Sequence, residues 1–178
     1  MKKPSKTLPA IAYTIVGHDL AAHLFHVSVT VAAPAEGGQI FALPAWIPGS
    51  YMIREFSRNI VRIRAESKGE PVELTKLDKH SWQAAPLADR RAPLTLHYEV
   101  YAWDLSVRAA HLDQTHGFFN GTSVFLRALG QEDQPHVVDI QRPQDEAAQD
   151  WRVATALPEL KAKRYGFGTY IASNYDEL

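Results

Sequence analysis

This sequence predicts an all-β domain: a β-sandwich or a saddle-shaped antiparallel sheet, with long loops and little helix. Three observations lead there. Apolar residues alternate at the period of half-buried strands, Gly and Pro turns punctuate those runs, and no stretch sustains an apolar stripe at helical spacing.

Taken in order, Ala22 to Val31 sets Phe25, Val27, Val29 and Val31 on one face against His26, Ser28 and Thr30 on the other. Pro34 to Gly38 reads as a turn, and Gln39 to Trp46 as a strand closed by the turn pair Pro48-Gly49. Asn59 to Ala65 alternates Val61 and Ile63 with Arg62 and Arg64, and Gly69-Glu70-Pro71 separates it from a strand over Val72 to Leu77. Leu94 to Trp103 is the longest alternating run, with Leu94, Leu96, Tyr98 and Val100 facing one way. Further strands are expected at Thr122 to Leu126, His136 to Gln141, Trp151 to Thr155 and Gly168 to Ala172. Met52 to Ser57 and Gln144 to Gln149 suit a turn or two of helix each. Neither a repeat nor a low-complexity tract interrupts the chain. Residues 1–9 are expected to be a flexible N-terminus and 10–172 a single β-domain.

Nineteen basic residues against 20 acidic ones leave none of the electrostatic footprint of a nucleic-acid or anionic-membrane binder. The lack of cysteine removes disulfides, thiolate metal sites and cysteine nucleophiles together. Met1 to Lys6 has the positive start of a signal peptide, but Pro9, Tyr13, His18 and Asp19 break the apolar stretch that should follow. With Met1 as the native start, the expected location is cytoplasmic.

The eight histidines invite a search for metal sites. His23 and His26, three apart on a strand, would point to opposite faces and make a poor ligand pair. His111, Asp113 and His116 fall in one loop-like stretch and offer two imidazoles and a carboxylate. The blander reading is a polar loop with ordinary hydrogen-bonded histidines. The zinc-peptidase signature, two histidines one helical turn apart with a glutamate after the first, is absent, because no histidine here precedes glutamate. The Gly-x-Ser-x-Gly elbow is missing too. Ser50 follows Gly49 in a turn, where a serine more often bonds backbone than attacks a carbonyl. Gly166-Phe167-Gly168 lacks the next glycine and the strand-to-helix setting of a phosphate loop.

Two strings are denser in aromatics than a β-domain surface requires. One is Trp46-Ile47-Pro48-Gly49-Ser50-Tyr51-Met52-Ile53-Arg54-Glu55-Phe56. The other is Asp104-Leu105-Ser106-Val107-Arg108, continuing through Gly117-Phe118-Phe119-Asn120-Gly121-Thr122-Ser123. Loops of this kind suit packing against another surface, or closure of the domain's own core.

These strings, with Pro44-Ala45 before the first and Tyr101-Ala102-Trp103 before the second, resemble the N-terminal region of glycyl aminopeptidase-type metallopeptidases. The resemblance runs over about residues 10 to 178 and includes Tyr165-Gly166-Phe167-Gly168-Thr169-Tyr170 near the end. It implies a gluzincin-like parent with an N-terminal β-domain, a thermolysin-like zinc domain and often a PDZ domain. Residues 173–178 would begin the junction to that catalytic domain. The implied activity is zinc-dependent release of N-terminal Gly or Ala from peptides, with no catalytic residue and no cofactor in this chain. What the resemblance leaves here is support of the catalytic domain and a share of the substrate site. An acceptor for the substrate's free amine is the expected contribution, with Asn120 first and Glu55 second. Trp46, Tyr51, Phe118 and Phe119 are the expected interdomain contacts, through which self-association is also conceivable. The alternatives are an autonomous module gripping carbohydrate or peptide on exposed rings, and a metal-dependent hydrolase built on His111, Asp113 and His116.

Overall fold

The structure, a computed structural model, describes residues 9–178. The expected flexible N-terminus, 1–9, therefore lies outside the described residues except for Pro9. Fourteen elements follow: β1 (Ile11–Asp19), β2 (Leu24–Val31), β3 (Ile40–Ala42), β4 (Ile60–Ser67), β5 (Glu70–Val72), β6 (Leu74–Lys76), β7 (Ser81–Ala84), β8 (Leu94–Tyr101), β9 (Ala110–Leu112), β10 (Gly117–Phe119), α1 (Gly121–Val124), β11 (Arg127–Ala128), β12 (His136–Gln141) and β13 (Gly168–Ala172). The all-β expectation holds. Seven strands form one sheet in the order β13-β12-β1-β2-β8-β4-β5, and four form a smaller one in the order β11-β3-β7-β6, with β9 and β10 as a separate hairpin. Every pair is antiparallel except β1 with β12, which run parallel from Ile11 opposite His136.

Alternation makes the large sheet one-sided. Ile11, Tyr13 and Ile15 of β1, Phe25 to Val31 of β2 and Leu94 to Val100 of β8 bury every second residue. Phe41, Trp82, Ala84 and Ala128 of the small sheet join them in one core cluster. Each such Val or Leu, taken fully out of water, contributes about 1.5–3 kcal/mol.

β1 shows the same alternation as β2. Tyr13 and His18, which break the apolar stretch of a signal peptide, belong to this strand, Tyr13 on its buried face and His18 at its exposed end. In β4 the expected pairing of Val61 with Ile63 fails. A bulge between Ile60 and Arg62 puts Ile60 opposite Val100 and Ile63 opposite Tyr98, and Val61 is pushed out. Gln39 to Trp46 shortens to β3, and Trp103 leaves β8 to make a lone bridge with His111. The helical stretches shrink to single 3-10 turns at Phe56–Asn59 and Glu146–Ala148.

Two expected strands are not strands. Trp151 to Thr155 joins no ladder: Val153 N bonds Tyr165 O at 3.0 Å, Trp151 N bonds Ala148 O at 3.2 Å, and the segment lines a cavity of about 230 Å³ beside Phe25, Phe119 and Val138. Thr122 to Leu126 begins instead as α1, because the Asn120 side chain accepts from Thr122 N and caps the turn. A Cβ on Gly121 would sit 2.4 Å from the Leu178 carbonyl oxygen, so only glycine fits there.

From the last residue of α1, Val124, through Phe125 and Leu126 the chain crosses the core outside any ladder, and three phenols satisfy these carbonyls. Tyr98 Oη donates to Val124 O at 2.8 Å, Tyr175 Oη to Phe125 O at 2.6 Å and Tyr13 Oη to Leu126 O at 2.8 Å. Tyr98 Oη also accepts from Leu126 N at 3.1 Å. Burial pushes the Tyr98 and Tyr175 hydroxyls well above the ordinary phenol range, so they remain protonated donors. Within residues 173–178, Tyr175 is buried and Leu178 lies against the core, while Ser173, Asp176 and Glu177 are exposed.

Candidate functional site

The first aromatic string closes on itself around Ser50. Ser50 N bonds Ile47 O at 3.1 Å, Trp46 Nε1 donates to Ser50 O at 2.6 Å, and Ser50 Oγ donates to Met52 O at 2.9 Å. Arg54 Nε reaches the same hydroxyl at 3.2 Å, while Arg54 N ties back to Ala45 O at 2.7 Å. Ser50 thus organises the loop, as a turn serine should. With its polar groups spent internally, the loop holds Tyr51, Met52 and Ile53 outward, 102%, 62% and 70% exposed. Trp46 is half exposed on the same loop.

Glu55 follows in the left-handed region, with φ 48°, and leads into the 3-10 turn Phe56–Asn59. Its Oε1 accepts from Lys79 Nζ at 3.0 Å, and that hydrogen bond holds the carboxyl below its usual range. Phe56–Asn59 packs against α1, so the two amine-binding candidates, Glu55 and Asn120, open neighbouring helical turns. Asn120 is extended, with φ −90°, and not the left-handed turn residue that Asn120-Gly121 suggests. Both acceptor sites of its side-chain oxygen are taken, by Thr122 N and Thr122 Oγ1.

The second string divides by alternation along β10. Phe118 is exposed, whereas Phe119 turns inward onto Phe25 and Phe125, each at a centroid distance of 5.6 Å. Phe119 therefore leaves the expected contact set and belongs to the core. The chain from Ala102 to Asp104 pairs with β9, so Trp103, His111 and Phe118 stand in one row across three segments. Leu105 and Val107, on the loop between, are exposed.

Imidazoles and Trp103 form a stack at this edge. His23 lies 3.9 Å from Trp103, Trp103 4.8 Å from His111, and His111 5.0 Å from His116. His23 sits in the β1–β2 turn and bonds Leu112 O at 2.7 Å, well apart from the role of strand partner to His26. His111 is buried, with Nε2 3.1 Å from Asp113 Oδ2 and no partner at Nδ1. Asp113 Oδ1 takes three donors: Thr115 N, Thr115 Oγ1 and His116 N. The Thr115 hydroxyl, the His116 backbone amide and His111 hold this carboxyl far below its ordinary range. His111, Asp113 and His116 each present a ligand atom within 4.8 Å of the others.

Residues 12–178 match the family model described as the peptidase M61 N-terminal domain. A crystal structure of an aminopeptidase N family protein from Idiomarina loihiensis superimposes with a TM-score of 0.88 at 45% identity over 94% of this chain. An M1 zinc metallopeptidase variant from Deinococcus radiodurans gives a TM-score of 0.47 at 14% identity, over 90% of this chain and 37% of that one. The present chain spans 28% of the Idiomarina protein. Among curated proteins nothing matches.

Proposed function

The chain belongs to the peptidase M61 N-terminal domain family, and from that membership we propose that it is the non-catalytic N-terminal domain of a zinc-dependent aminopeptidase. Its task in this reading is to support a catalytic domain on the same polypeptide and to line part of the substrate site. The observation that carries the proposal is the family match over residues 12–178 on a chain that spans 28% of its 45%-identical solved relative.

The chemistry itself has no seat in these residues. A peptidase zinc, which polarises a scissile carbonyl, needs a helical histidine pair and a glutamate that this sequence lacks. The chain's own contribution is the exposed apolar edge of Trp46, Tyr51, Met52 and Ile53, with Phe118 and Trp103 on the β9–β10 side. Apolar surface of this kind is costly in water and is stabilised by a covering partner.

For the substrate's free ammonium the better acceptor is Glu55, reversing the order expected from sequence. Its carboxylate stays ionised beside Lys79 and keeps Oε2 available, whereas Asn120 Oδ1 is engaged by Thr122. Asn120 then acts by capping α1 and fixing the turn that packs on Phe56–Asn59.

The test compares hydrolysis of glycyl and alanyl amides by this chain and by the chain extended through the next domain of its reading frame, with and without zinc. Activity confined to the extended protein supports the proposal, and activity in the present chain overturns it. In the extended protein, Glu55→Gln should raise KM for free-amine substrates while N-acetylated substrates remain equally poor.

A further inference from the structure

We propose that His111, Asp113 and His116 form a binding site for a borderline divalent transition-metal ion of the Zn2+ class, clipping the turn of the β9–β10 hairpin. The inference is independent of any catalytic zinc and rests on this chain's own residues.

A turn alone does not account for the cluster. The Asp113–His116 turn is closed by Asp113 N to His116 O at 3.1 Å, and by Thr115 N and His116 N donating to Asp113 Oδ1 at 2.7 and 3.0 Å. That motif needs one carboxylate oxygen and neither imidazole. Asp113 Oδ2 is directed instead at His111 Nε2, 3.1 Å away, while His116 Nδ1 lies 3.7 Å from Oδ1. Four-coordinate zinc, with bonds of about 2.0–2.2 Å, places its ligand atoms about 3.3 Å apart. These two separations lie on either side of that value, while the ligand atoms as a set span up to 4.8 Å and Thr115 Oγ1 holds His116 Nδ1 at 2.8 Å, so the His116 ring must leave Thr115 and turn toward Asp113 and His111 for three donors to share one ion.

Two of the three ligands are already fixed. His111 is 3% exposed and sandwiched between Trp103 and His116, so its ring gives up little freedom on binding. Asp113 is oriented by the Thr115 N, Thr115 Oγ1 and His116 N donors to its Oδ1, the kind of hydrogen bonding that holds metal-binding carboxylates in place. With Nε2 on a metal, the His111 proton would reside on Nδ1, an exchange that water can carry and that conserves protons, although Nδ1 has no acceptor among the described residues. His116 is half exposed, which leaves the fourth coordination position to water. Two imidazoles and one carboxylate favour zinc over calcium or magnesium, which prefer all-oxygen cages. Elsewhere on the sheet, His18, His26 and His97 are separated by ring distances of 5.8 and 6.0 Å. Among the described residues only the His111 group brings three metal-ligating side chains together.

The experiment is calorimetric titration of the metal-free chain with Zn2+, and with Co2+ followed by visible absorption. One ion per chain is expected, with the intense Co2+ bands of four-coordination, a Tm that rises with Zn2+ concentration and no response to Ca2+. His116→Ala removes an exposed ligand, and Asp113→Asn keeps the turn's acceptor while losing the charge. Each should weaken Zn2+ binding by at least the roughly 10–100-fold seen when a group that hydrogen-bonds a metal ligand is lost, with far-UV circular dichroism unchanged. His26→Ala should bind as the parent does. Failure to take up a stoichiometric ion, affinity unmoved by both ligand variants, or affinity lost with His26→Ala overturns the proposal.

Discussion

The segments Phe118 to Leu126 and Trp46 to Phe56 are alike in composition, each mixing aromatics with turn residues, and they meet opposite fates. In the first, Phe119 and Phe125 turn inward and the following backbone is buried, with Val124, Phe125 and Leu126 at most 1% exposed. Buried carbonyls must be paired, and Tyr98, Tyr175 and Tyr13 do so from β8, the C-terminal turn and β1. In the second, Ser50 closes the loop with bonds of its own, so nothing in the domain requires Tyr51, Met52 or Ile53 to come in. Aromatic density therefore marks a segment as important without saying for which side. What decides is where its backbone polar groups find partners.

The sharpest way to break this contrast is Phe125→Ala. Phe125 packs on Tyr13 at 4.9 Å and on Phe119 at 5.6 Å, and truncating a buried phenylalanine costs about 3–5 kcal/mol. Urea unfolding should show that loss. A loss below about 1 kcal/mol would mean the segment is not part of the cooperative core.

Tyr98→Phe isolates the tether from the packing. The ring stays, but Val124 O loses its donor and Leu126 N its acceptor, so a destabilisation of about 1–3 kcal/mol is expected. Tyr175→Phe removes one bond only and should cost less. If the two phenylalanine variants rank the other way, the phenols are not what fixes the segment.

How far the sequence revealed this follows from what periodicity encodes. β2 and β8 were legible because each is buried on one face, so every second residue is apolar and the register declares itself. The bulge at Val61 was not, since an inserted residue shifts the period without changing composition. α1 was misread because Thr122 to Leu126 has strand-like residues, and the cap on Asn120 outweighs that propensity. The tyrosine frame joins residues 26 to 113 positions apart, beyond any local pattern. At the site, the coming together of His111, Asp113 and His116 was legible from their spacing, while the stack with Trp103 and His23 was not.

Acid should distinguish the two regions further. His136 is fully buried beside Tyr13 and Tyr175, donates through Nδ1–H to Gln134 O, and has no partner at Nε2. Burial holds it below the ordinary imidazole range, outweighing the hydrogen bond to Gln134 O and the nearby Glu132 carboxylate. The unfolded chain takes its proton first, at about pH 6.5, so this contribution to stability is complete above that pH and is lost as pH falls toward the folded-state value. Amide exchange between pH 7 and 5, corrected for intrinsic rates, should show protection at Leu126 and Tyr175 falling while that at Ser50 and Arg54 changes less. Earlier loosening of the Ser50 loop would invert the comparison.

The smallest effect on the isolated chain is the most telling for function. Tyr51→Ser removes a ring that touches no core residue and lies fully in solvent, so stability should move by no more than about 0.5 kcal/mol. Solubility of the chain should improve, because one exposed aromatic is gone from a loop that also shows Met52 and Ile53. In the protein extended through its next domain, the same substitution should be felt if that loop is covered. It should there lower Tm or loosen the association between domains, measured by limited proteolysis at the junction. Equal indifference in both forms would assign the loop to solvent and leave the Trp103 and Phe118 edge as the face on which the proposed interdomain contact would have to rest.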